Sequence, residues 1–173
     1  MASAAAFVLA KFSPIFLLAY AEDLYSTPEV TKRAQGLVIL SNLILASFTL
    51  VGLGFRVGKA RKEFQVPLPH MYADPSRGLE GEKFNNVQRG HQQALETFPT
   101  FLALSFVSGQ RFPITTALLG VFYAVSRVSW ANAYTEFGAE GRYSKWFGKQ
   151  VWAPLVLLSA TSAFVALEQL LGW

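Results

Sequence analysis

Residues 36–55, GLVILSNLILASFTLVGLGF, run for twenty positions without a charge. A helix of that length rises about 30 Å, the thickness of a bilayer's hydrocarbon core. The backbone of a segment in lipid must satisfy its own hydrogen bonds, which a helix does alone. Composition agrees: 52% of the 173 residues are hydrophobic and only 15% charged, outside the usual range of a soluble domain. The length suits one bundle. A net charge of +4 could suggest nucleic acid, but most cations flank apolar runs, as membrane topology requires. No nucleic-acid partner is expected. With no cysteine the chain has no disulfide, thiolate metal site or cysteine nucleophile, and with two histidines, His70 and His91, no metal site is expected.

The second constraint is a polar run, FNNVQRGHQQALETFP at 84–99, that flows into the apolar FLALSFV. On a helix, Asn85, Arg89, Gln92 and Glu96 fall on one narrow stripe, with Gln93 beside it. Charges where a helix enters a bilayer are costly unless they face a bundle interior or a wet cavity. This face is therefore the candidate working site.

In chain order, residues 2–21 are apolar but interrupted by Lys11 and Pro14. Lys11 reaches water only near an interface, and Pro14 breaks or kinks a helix after its first turn. A retained, partly embedded or surface-lying segment is the favoured reading. A targeting segment (Ala19-Tyr20-Ala21 has a small-x-small pattern) and a full fifth span are the alternatives. Ser26 as N-cap, Pro28 in the first turn and Glu29 at the capping-box position start the first spanning helix. Its Ser41 and Asn42 read as interhelical glue. The helix runs on into Arg56, Lys59, Arg61 and Lys62, and a Pro/Gly-rich loop follows. The polar run plus 94–107 makes a second span, with Pro99 predicting a kink. The third span covers 114 to about 134, with Tyr123, Arg127, Trp130 and Tyr134 on one face. Arg127 there needs a buried acceptor, for which Glu96 is the candidate. Residues 135–145 read as a loop, and a fourth span covers about 147–171.

The fold class is thus an all-α integral membrane protein: a four-transmembrane-helix bundle with an additional N-terminal hydrophobic segment. Its parts are an extension at 1–34 and a membrane domain at 35–173. The loops after spans one and three hold most of the cations, so they face the cytosol or its organellar equivalent, and both termini face the other side. Arg89 and Glu96 read either as a structural pair that fixes helix register or as a grip on a small zwitterion, Arg on its carboxylate and Glu on its ammonium. The four amides Asn85, Asn86, Gln92 and Gln93 favour a ligand, since they want partners.

KARKEFQVPLPHMY, FNNVQRGHQQALETFPTF, SRVSWANAY and the terminal LGW together resemble the membrane-associated proteins in eicosanoid and glutathione metabolism, in particular the type-3 microsomal glutathione transferase branch. The likeness covers roughly 35–173. It implies a homotrimer of four-helix bundles in an endoplasmic reticulum or other organellar membrane (mitochondrial or plastid), with glutathione as co-substrate held between subunits. Arg89, Gln93 and Glu96 would line that site, with His91 and Arg61 contributing across the interface. Arg127 and Tyr134 occupy the matching third-helix positions. Arg142 is nearest the family arginine that stabilises the glutathione thiolate, and so is the candidate catalytic residue. Gln93 replaces a common Asn, and Thr97 and Trp130 replace tyrosines of some relatives.

Two main functions follow, with a lipid or small-molecule binding module as a third reading. One is a membrane glutathione transferase or glutathione-dependent peroxidase acting on lipophilic electrophiles or lipid hydroperoxides, with membrane lipids and glutathione as partners. The other is a non-catalytic subunit of the same fold, seated among unrelated membrane subunits through its N-terminal extension.

Overall fold

The computed structural model describes the backbone of residues 4–172 and the side chains of 13–172. The expectations placed on Lys11 and on the terminal Trp173 fall outside those residues. Among the described residues all regular structure is helical. Helix α1 (Ala4–Tyr25) is followed by α2 (Pro28–Val38), a π-helical segment (Ile39–Leu45) and α3 (Ala46–Glu63), which join into one continuous rod, Pro28–Glu63. Then come α4 (Gly78–Arg111), α5 (Pro113–Gly141) and α6 (Ala153–Leu171).

Among the described residues three helical stretches are long and apolar enough to cross a membrane: Pro28–Glu63, Pro113–Gly141 and Gly148–Leu171. This is consistent with an integral membrane protein. The expected second span, α4, is long at 34 residues, but its residues 78–96 carry Glu80, Glu82, Lys83, Arg89 and Glu96. Its uncharged part, 97–110, is short of the roughly 20 residues that a crossing takes.

The first rod begins one residue later than read. The Ser26 N–H still donates to the Glu22 carbonyl at 2.9 Å, closing α1, so Thr27 becomes the N-cap and accepts the Val30 N–H at 3.3 Å. Glu29 then pairs with Arg33 at 2.9 Å instead of closing a capping box. Helix α1 continues through Pro14, which therefore does not end it. Regular helix in α5 extends past the expected loop start, as far as Gly138, whose φ of 68° departs from the helical region.

Hydroxyls and one amide join the helices. Asn42, on the π segment, donates to Ser105 Oγ on α4 at 2.8 Å and to the Thr116 carbonyl on α5 at 3.2 Å. Ser41 supports it, donating to Asn42 Oδ1 at 2.6 Å. Ser108, Thr116 and Thr161 link α4, α5 and α6 through hydroxyl contacts of 2.8 and 2.7 Å. Phe101 and Tyr123 stack with centroids 3.8 Å apart in the buried centre, beside Leu119, Leu157 and Leu158. Interhelical glue is thus the role of Ser41 and Asn42.

At the end of the bundle away from the basic loops, α1 is fastened by two ionic groups. Buried Glu22 accepts the Ile114 N–H at 2.6 Å and the Thr115 N–H and hydroxyl at 2.9 and 2.8 Å, capping the start of α5. Next to it Arg111 pairs with Asp23 and, at 3.2 Å, with Glu168 on α6.

Candidate functional site: an arginine–glutamate face on α4

The loop between α3 and α4 is folded onto α4 by three side chains. Arg61 lies over the Phe84 ring, 5.1 Å from its centroid, and donates to the carbonyls of Val66 and His70 at 3.2 and 2.8 Å. Arg77 donates to the carbonyls of Phe64 and Gln65, each at 2.7 Å. Asn85 accepts the Ala73 N–H at 2.8 Å. This packing delivers Tyr72 onto the α4 stripe, where its hydroxyl bonds to Gln92.

On that stripe the Arg89 guanidinium stands 3.6 Å from Glu96, and the two side chains are 38% and 50% exposed. The hydroxyls of Tyr72 and Tyr134 also lie against Arg89. Gln92 donates to Glu96 at 3.0 Å. A separation of 3.6 Å exceeds a hydrogen bond, so Glu96 takes none of the five guanidinium N–H donors, and the two tyrosine hydroxyls are too few to take them all. An exposed pair of this kind contributes about 0–1 kcal/mol, too little to explain it as a fastening of the fold.

Gln93 and Arg127 form a separate layer beneath. Both are buried, and Arg127 donates to Gln93 Oε1 and, at 3.2 Å, to the Val151 carbonyl. The guanidinium also lies over the rings of Tyr123 and Trp152 at 4.8 and 5.5 Å. The expected acceptor, Glu96, is therefore not the partner of Arg127. Glu96 points to the open side of α4, while a neutral amide, a carbonyl and two π faces compensate the charge. Gln93 Nε2 and Arg127 Nε are buried without hydrogen-bond partners among the described residues.

Arg142 stands at the end of α5, stacked 4.9 Å over the Tyr143 ring and donating to the Ala139 carbonyl. An aromatic series runs from it towards Arg89: Tyr143 to Trp130 at 6.4 Å, then Trp130 to Tyr134 at 5.0 Å. The Tyr143 hydroxyl accepts the Trp152 indole N–H at 3.3 Å. That bond, with the neighbouring Arg142 charge, holds the phenol below its usual range.

The structure thus brings together Arg89, Glu96 and Tyr134, and joins Arg142 to them through Tyr143 and Trp130. Gln93 and Arg127 bond to each other, with one buried nitrogen of each left unpartnered among the described residues. Within one chain, Arg61 holds the loop and His91 packs near Gly54 on α3, so neither joins the open face. Of the four amides, Asn85 serves the loop and Gln92 the tyrosine and glutamate, while Gln93 accepts from the buried arginine and Asn86 lines a separate cavity, so only part of their demand for partners is met within the chain. Tyr72, Tyr143 and Trp152 also belong to the site, and helical spacing does not single them out. The only sequence signal for Tyr72 was its place at the end of the KARKEFQVPLPHMY block.

Residues 39–164 match the model of the MAPEG family. The chain belongs to the MAPEG family. The match spans the Arg89–Glu96 stripe, Arg127, Tyr134 and Arg142, and begins at the first residue of the π segment. The MAPEG family includes glutathione transferases and peroxidases as well as members that are not enzymes.

Proposed function

We propose that this MAPEG protein is a membrane glutathione transferase or glutathione-dependent peroxidase of the type-3 microsomal kind, acting on lipophilic electrophiles or lipid hydroperoxides. The observation that carries this reading is the loose, exposed Arg89–Glu96 pair. A carboxylate of glutathione takes the free guanidinium donors, and its ammonium takes Glu96. Tyr72, Gln92 and Tyr134 orient these two groups. In this reading α4 completes a four-helix membrane bundle, since its charged half abuts other subunits of a homotrimer instead of lipid. Arg61 and His91 then act across that interface. The compartment that follows from the resemblance is the endoplasmic reticulum or another organellar membrane.

The thiol of glutathione titrates near pH 8.5 when unperturbed, and only the thiolate is a strong nucleophile. Arg142 is the cation that favours the thiolate. In conjugation the sulfur pair attacks the electrophile and the leaving group departs with its bonding electrons. In peroxide reduction the sulfur attacks the distal oxygen and releases an alkoxide that takes a proton. A second glutathione then forms the disulfide and releases water.

The test is turnover. Arg142→Ala is expected to lower conjugation at least roughly tenfold while glutathione still binds, each tenfold being about 1.4 kcal/mol of lost transition-state stabilisation. Wild-type turnover in that variant overturns the assignment of Arg142. A second reading, the non-catalytic subunit, is favoured by one observation: Gln93, expected on glutathione, is buried and bonded to Arg127. Absence of turnover in a wild-type protein isolated with unrelated membrane subunits would select it.

A further inference from the structure

At the basic end of the bundle, a cavity of about 700 Å³ opens between α3, α4 and α5, lined among others by Arg56, Lys59, Glu63, Glu82 and Lys83. Its charges are not spent on one another. Among the described residues the side chains of Lys59, Glu63, Glu82 and Lys83 make no hydrogen bond or ion pair. Unpaired charges of both signs around one hollow fit a guest that carries both signs.

A second hollow adjoins it on the membrane side. This groove of about 400 Å³ between α3 and α5 has apolar walls of Leu45, Ala124, Val125 and Val128, and the one charge in its otherwise neutral lining is Lys145. Two contacts stitch the hollows together. Arg56, in the cavity wall, donates at 2.6 Å to Asn132, in the groove wall. Lys145, in the groove wall, pairs at 2.6 Å with Glu136, in the cavity wall. That pair leaves Arg56, Lys59 and Lys83 against Glu63 and Glu82.

Depth orders the charges. Arg56 is the first charged residue after the uncharged run 36–55, so it marks where the hydrocarbon layer ends. On α3, Lys59 and Glu63 lie about 4.5 and 10.5 Å further out along the axis, at about 1.5 Å per residue. Along α3 the order outward is apolar run, the cations Arg56 and Lys59, then the carboxylate Glu63. Basic pockets between helices at this level of a membrane bind lipid phosphates.

We propose that the cavity and groove together hold one phospholipid with an amine-bearing zwitterionic headgroup. Its phosphate sits against Arg56, Lys59 and Lys83, its ammonium against Glu63 and Glu82, and one acyl chain along the α3/α5 groove. The proposal does not depend on glutathione binding, since neither Arg89 nor Arg142 lines either hollow.

Full-length protein reconstituted into vesicles of equimolar phosphatidylethanolamine and phosphatidylglycerol, re-extracted in mild detergent and weighed by native mass spectrometry, tests it. Retention of one phosphatidylethanolamine per chain, above its share in the vesicle, is expected. Lys59→Gln/Lys83→Gln lowers that retention by about tenfold or more, and Glu63→Gln/Glu82→Gln turns the preference to phosphatidylglycerol. Ser129→Trp, which fills the groove and leaves every charge in place, also removes the lipid. Lysines and glutamates at the exposed rim keep the fold, which circular dichroism checks. Retention at the vesicle ratio, equal retention in wild type and charge variants, or displacement of the lipid by inorganic phosphate overturns the proposal. The last outcome would mark a simple anion site.

Discussion

An ideal Cβ built at Gly120 would lie 2.0 Å from Asn42 Oδ1, so the Asn42 side chain fills the volume that any other residue at position 120 needs. Gly120→Ala therefore forces out an amide held by Ser105 and the Thr116 carbonyl. We expect about 1–3 kcal/mol of destabilisation, seen as a lower thermal midpoint in detergent. Adding Asn42→Ala should recover part of the loss, because the two sites share one contact. Simple additivity would contradict this. The polar role of Asn42 was legible in the sequence, since an amide in an uncharged span needs a partner. Gly120 was not, because its role depends on how closely two helices cross. Tyr143 offers a second residue-scale outcome. Its phenol is held below the usual range chiefly by the Trp152 indole donor, so Trp152→Phe is expected to raise it towards about 10 in an ultraviolet difference titration against Tyr143→Phe. A depressed folded value makes its stability contribution present only above the unfolded pKa, lost as pH falls through the folded one, so it adds nothing at neutral pH. Identical titration in both proteins would remove the indole as the cause.

At the scale of elements, the apolar runs gave α3, α5 and α6 directly, because an uncharged stretch of span length has few other solutions. The boundaries moved where a side chain outside the run intervened. The Ser26 N–H closes α1, so Thr27 caps the next helix. The attachment of α1 could not be read in advance, since Glu22 meets Ile114 and Thr115, 92 and 93 positions away. Those are free N–H groups at a helix start, where a carboxylate is favoured both by hydrogen bonding and by the helix dipole. Glu22→Ala leaves them buried without an acceptor and is expected to destabilise by roughly 1–3 kcal/mol. Protease accessibility near Tyr25 should rise with it. A variant as stable and as protected as wild type would show that α1 is not fastened there.

For the whole molecule, the two ends differ in how their charges are used. At the end of the α4–α5 turn Arg111 is held by Asp23 and Glu168, while at the basic end Lys59 and Lys83 remain unpaired and Arg89 is only loosely paired. The stripe of Asn85, Arg89, Gln92 and Glu96 predicted from helical spacing is present on one face of α4. What spacing could not supply was the loop that brings Tyr72 over it, nor the burial that turns Gln93 inward to Arg127. The central claim is that this open pair grips a small zwitterion, glutathione. Isothermal calorimetry of glutathione against the detergent-solubilised protein and its Arg89→Ala variant tests it most directly. The account predicts measurable binding by wild type and a loss of about tenfold or more in the variant, the worth of a charge-assisted hydrogen bond. Equal affinity in the two proteins would contradict it.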